Sequence, residues 1–141
     1  IPSPVYGKHA QQVADALASI DIAARVLADE AELVHELVLK NVYILTTNIA
    51  GIEVGGNVGQ LWDEHRLLAE SVALEVIRLQ EALTGQTLDH QGLIDGMVNA
   101  FDGDLEHMCM GRSAPVRLQR ALMLAEQNEL SLSMLQRVAA L

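Results

Sequence analysis

The sequence predicts a mainly α fold, a multi-helix bundle domain, and three observations carry that expectation. Apolar residues recur at helical spacing over long stretches, most clearly Leu33, Val34, Leu37, Val38, Val42, Leu45 and Ile49, which give one wide face. Half of the 141 residues are apolar yet only 3% are aromatic, a mixture that suits aliphatic helix-on-helix packing better than a sandwich or barrel. Glycines fall between the stripes, at Gly55, Gly56, Gly59 and Gly85, where turns and caps belong.

Taken in order, Ile1 to Gly7 holds two prolines and a glycine and reads as an arm. From His9 to Ile20, Val13, Leu17 and Ile20 mark a helix, and Ile22 to Leu27 fits a short strand or a continuation of that helix. Residues 1–28 thus form an arm, a helix and a candidate strand, with a break near Asp29. Residues 29–141 form an all-helical domain. Its first helix starts with Asp29, Glu30 and Glu32 at the positive end of the helix dipole and is expected to end by Gly51. The glycine-rich turn signals that something packs or binds close to the backbone. A second long helix runs from about Leu61 to Leu83, with Gly85 as its C-terminal cap. A third covers His90 to Phe101, and Leu105 to Met110 forms an apolar turn. Pro115 fits the first turn of a helix reaching about Asn128, and Ser131 or Ser133 can cap a last one, Met134 to Leu141.

Charge narrows the function classes. A formal net charge of -10 with nine Lys and Arg argues against nucleic acid or an anionic membrane surface as partner. There is no run of eighteen apolar residues and no signal-peptide pattern at the N-terminus, so a cytoplasmic location is the default. The single cysteine, Cys109, has no partner for an internal disulfide and reads as an inert buried thiol. No glycine-rich dinucleotide fingerprint and no nucleophile elbow occur.

Lys40, Ile44 and Asn48 stand at steps of four and share a helix face. A lysine and an amide two turns apart can serve one small ligand, the first with charge and a proton, the second with directed hydrogen bonds; equally, Lys40 can snorkel from a helix edge and Asn48 can finish a helix end. Glu32 with His35, and Asp104 with His107, have the Glu-x-x-His type spacing of metal-binding bundles, and His35 can also pair with Glu75. A ferritin-like metal-binding bundle is therefore one alternative. His35-Glu36-Leu37 on a long helix also resembles the phosphoacceptor helix of histidine kinases, which makes a histidine-phosphotransfer interaction module a second. Trp62 beside the glycine turn reads as a packing anchor.

The row Lys40, Asn48 and Gly59-Gln60-Leu61 resembles the C-terminal helical domain of ketopantoate reductases (2-dehydropantoate 2-reductases), in the 6-phosphogluconate-dehydrogenase C-terminal-like superfamily. There a helix carries a catalytic lysine and then two asparagines at steps of four, before a loop leading to Gly-x-Leu. Lys40 stands at the lysine position and Asn48 at the second asparagine. Glu75-Val76 running to Gly85, Asp104-Leu105-Glu106, and Gly111-Arg112 are similar to further family stretches. His9 to Asp29 resembles the last helix and strand of the family's nucleotide-binding domain. Ile44 departs from the first asparagine, the substrate-binding serine falls on Asn99 or Ala100, and a glutamate falls near Pro115. The resemblance implies an NADP-dependent reductase of a small 2-keto acid, with Lys40 as general acid and Asn48 and Asn99 as substrate-binding residues. It also implies a homodimer and an N-terminal nucleotide-binding domain that holds the NADP, so that this chain alone neither binds the cofactor nor catalyses the reaction.

Overall fold

The computed structural model describes residues 2–141. It is mainly helical, as the apolar periodicity predicts, with seven helices and two short strands among the described residues. Two compact units divide the chain, Ile1–Lys40 and Asn41–Leu141. The long helix α2 (Glu30–Val54) runs through the division.

The first unit is a β-α-β arrangement. Strand β1 (Ser3–Val5) pairs in parallel with β2 (Ala24–Val26), Ser3 opposite Ala24 and Val5 opposite Val26. Parallel strands cannot be joined by a tight hairpin, and helix α1 (Ala10–Ala18) makes the crossover. Asp21, at φ 61°, turns the chain back after α1. The arm read from the prolines thus contains a strand. Pro4 is tolerated there because the ladder is carried by its neighbours: the Ser3 amide donates to Ala23 O at 2.8 Å, and Val5 O accepts from the Leu27 amide at 2.8 Å.

The second unit holds the rest of α2 with α3 (Val58–Glu64), α4 (Arg66–Thr84), α5 (His90–Gly103), α6 (Ala114–Gln127) and α7 (Ser133–Ala139). Val42, Ile49, Leu61, Val76, Leu79, Met97, Phe101 and Leu135 are among its fully buried side chains. α2 is long and apolar enough to cross a membrane by length and composition; in this unit Val42, Thr46, Thr47, Ile49 and Ala50 are buried by protein.

Three boundaries depart from the sequence expectation. α2 does not end by Gly51 but continues to Val54, and it stops where Gly55 and Gly56 take φ of 64° and 72°, conformations that favour glycine. The stripe from Leu61 to Leu83 belongs to two helices. Asn57 opens α3 with a capping box, accepting the Gln60 amide at 2.8 Å while Gln60 Oε1 accepts the Asn57 amide at 3.0 Å. His65, at φ -131° and ψ 36°, then separates α3 from α4. Gly85 does cap α4 in the left-handed conformation, and Pro115 lies in the first turn of α6.

The third departure is the start of α7. Neither Ser131 nor Ser133 caps it through its hydroxyl, and the N-cap position is Leu132, whose side chain is fully buried. The acceptor comes from α4 instead. Glu75, only 8% exposed, takes the Met134 amide on Oε1 at 2.9 Å and the Leu135 amide on Oε2 at 3.0 Å, while Ser133 Oγ donates to Oε1 at 3.2 Å. A carboxylate facing orphan helix amides is favoured by hydrogen bonding and by the helix dipole together. The exposed pair Arg137–Glu53, at 2.7 Å, adds a weaker tie from α7 to α2.

Replacing Glu75 by alanine should lower stability by about 1–3 kcal/mol, since two buried amides lose their acceptor. Glu75→Gln should cost less, because one oxygen remains. Urea unfolding followed by circular dichroism measures both, and equal midpoints for Glu75→Ala and the parent protein would contradict this role.

Candidate functional site

The glycine turn is covered by the protein's own chain. The segment from Leu105 to Gly111, between α5 and α6, crosses the end of α2 and the start of α3. There the Val58 amide donates to His107 O at 2.9 Å, the Gly59 amide to Leu105 O at 3.0 Å, and the Cys109 amide to Gly56 O at 3.0 Å. Asn57 and Met108 form an antiparallel bridge. Gly51 explains the close approach: a Cβ there would lie 2.9 Å from Cys109 Cβ and 3.0 Å from the Met110 amide nitrogen. At Gly59 a Cβ would meet Leu105 O at 3.1 Å. The glycines that promised a packed or bound backbone are thus used for packing this strap.

Asn48 is part of the same fastening. Its Nδ2 donates to Ile44 O at 2.8 Å, and its Oδ1 accepts the Gly111 amide at 3.1 Å. The side chain is half-buried on α2, and Lys40, two turns earlier on that helix, is exposed. Asn99 is exposed on α5 and makes no hydrogen bond through its side chain among the described residues. Ile44, at the place of the first family asparagine, is half-buried.

The metal-type spacings do not assemble. Glu75 gives its carboxylate to α7; His35, Asp104 and His107 are exposed. No group of three or more His, Cys, Asp or Glu side chains able to hold a metal occurs among the described residues. Trp62 packs edge-on to Phe101, ring centroids 6.2 Å apart, and carries the Arg66 guanidinium 4.6 Å above its ring. It is a packing residue, as its position beside the turn suggests.

Two groups near the strap have altered acidities. Burial pushes the Cys109 thiol up to about 11. Burial also raises Tyr43, with Asp104 and then Cys109 adding to the effect through their negative forms. Tyr43 stacks at a tilt on Phe101, centroids 5.4 Å apart, and lies 6.2 Å from the His107 ring. Sequence reading passed over Tyr43. It also passed over Asn41, Gln80, Arg117 and Arg120, which line a groove between α2, α4 and α6. For the arginines a signal existed: Arg117, Arg120, Ala121 and Leu124 share one helix face.

No family model, curated protein or solved structure matches the chain.

Gly51→Ala sets a helix-propensity gain of about 1 kcal/mol against an overpacking cost of about 1–3 kcal/mol. Because one contact is a backbone nitrogen that cannot rotate away, the clash should win and the midpoint of thermal unfolding should fall; a raised midpoint would show that the strap yields freely. Cys109 should resist iodoacetamide at pH 8, where only about one thiol in a thousand is ionised at its raised pKa, and label rapidly in denaturant. Intact-mass spectrometry reads this directly, and fast labelling of the native protein at pH 8 would contradict it.

Proposed function

We propose that this chain is the helical substrate-binding and dimerisation part of an NADP-dependent oxidoreductase resembling ketopantoate reductase, with a small 2-keto acid as substrate. The observation that carries the reading is the parallel β1-α1-β2 unit running in chain order into the long helix α2. Parallel pairing through a crossover helix is the building block of nucleotide-binding sheets, and a two-stranded sheet is marginal by itself. That support is architectural, and it adds to the motif row Lys40, Asn48 and Gly59-Gln60-Leu61.

In this reading the cofactor is held by a nucleotide-binding domain and supplies hydride to the keto carbon. Lys40 gives a proton to the developing alkoxide, the role that the resemblance assigns to it. Asn48 acts mainly by holding the strap through Gly111, and the resemblance alone gives Asn99 a substrate-binding role. Ile44 removes one polar contact, which favours a 2-keto acid less polar than the family's usual substrate.

The test is titration of the ¹⁵N-labelled chain with pyruvate and with 2-oxoisovalerate, followed by NMR. Saturable shifts are expected around Lys40, and Lys40→Gln should weaken binding roughly tenfold or more, the worth of one charge-assisted hydrogen bond. No saturable shift for either acid would sink the assignment of this surface.

A further inference from the structure

We infer that the groove between α2, α4 and α6 is a binding site for an aliphatic monocarboxylate, held at one end by Arg117 and Arg120. The inference does not rest on the reductase reading, although Ile44, which that reading sets beside the substrate, also lines this groove. The groove has a volume of about 290 Å³ and is lined by Asn41, Ile44 and Leu45 of α2, Leu79, Gln80 and Leu83 of α4, and the face Arg117, Arg120, Ala121 and Leu124 of α6. That is near the lower end of the roughly 300–1,000 Å³ found for small-molecule sites, so the ligand is small.

Charge makes the lining unusual. The chain carries 19 Asp and Glu against nine Lys and Arg, yet no acidic residue lines this groove. Among the described residues neither Arg117 nor Arg120 has a carboxylate within ion-pair distance. Arg117 spends only its Nε, on Ser113 Oγ at 3.1 Å. Its terminal nitrogens and the whole Arg120 guanidinium are uncommitted. Arg117 and Arg120, at i and i+3, stand on one face of α6, and the fork of either guanidinium can match a carboxylate.

A second observation lies at the floor. Gln80 is only 5% exposed, and its Oε1 accepts the Asn41 amide at 3.3 Å. Its side chain lines the groove, and its Nε2 makes no hydrogen bond to the protein among the described residues, so it is free to donate to a ligand. Ile44, Leu45, Leu79, Leu83 and Leu124 form the remaining wall, a surface that rewards a hydrocarbon tail.

The experiment is titration of the intact chain with octanoate, with octanol and octyl phosphate as controls, followed by calorimetry and by NMR of Gln80 and the two arginine Nε–H groups. Octanoate is expected to bind saturably and to shift the Gln80 side-chain amide, and Arg117→Gln/Arg120→Gln to weaken it by about tenfold or more. Both arginines are exposed, so the variant should fold, which circular dichroism checks. Saturable keto-acid shifts around Lys40 without octanoate binding would overturn this inference alone, and octanoate binding without keto-acid shifts would overturn the reductase reading alone. Equal affinity for octanol, tighter binding of octyl phosphate, or an unchanged double variant would each overturn the inference. So would a dimer in sedimentation that Arg117→Glu dissociates and octanoate does not, since the groove would then be covered by a second copy.

Discussion

The second unit depends on one close approach, the strap of Leu105 to Gly111 lying across α2 and α3. It is possible only because Gly51 presents no Cβ to Cys109 and Met110, and because Gly59 presents none to Leu105 O. Once the chain is that near, the amides of Val58, Gly59 and Cys109 are satisfied by backbone carbonyls, and Asn48 closes the end at Gly111. Four elements are thereby tied without a disulfide or metal: α2 and α3 beneath, α5 leading in and α6 leading out. The buried thiol and the raised pKa values of Cys109 and Tyr43 are consequences of the same closeness.

Polar groups in this unit are placed where the helices need them. Glu75 faces inward from a core helix because α7 opens on Leu132, a residue the core requires, and so cannot carry its own capping side chain. Glu81 plays a similar part at the other end of α4, accepting the Leu88 amide and facing His90; these bonds, the Leu88 amide first, hold its pKa below the usual carboxylate range. Stabilisation from Glu81 is present above the unfolded carboxylate pKa and fades as the pH falls through the lower folded value.

Much of the architecture was legible from residue order. The apolar stripe from Leu33 to Ile49, Gly85 after the fourth helix and Pro115 at the start of the sixth each have a local cause that needs no partner. The misplaced boundaries have non-local ones. Gly51 reads as a terminator until Cys109 is set beside it, and Asn57 with Gln60 was a readable capping box hidden by the glycines on either side. A three-residue strand with proline at its centre has no periodicity of its own, so β1 emerges only through its pairing with β2.

The sequence by itself determined a helical domain, an acidic surface and a row of Lys40, Ile44 and Asn48 along one helix, because helical periodicity and charge are properties of neighbours in the chain. Tertiary structure alone decided what those residues do. Asn48 meets Gly111 across 63 positions and Glu75 meets Leu135 across 60, while Asn41, Gln80 and the arginines of α6 come together from three separate helices. Such contacts are selected by the packing of whole elements, and no local pattern records which carboxylate will reach which amide.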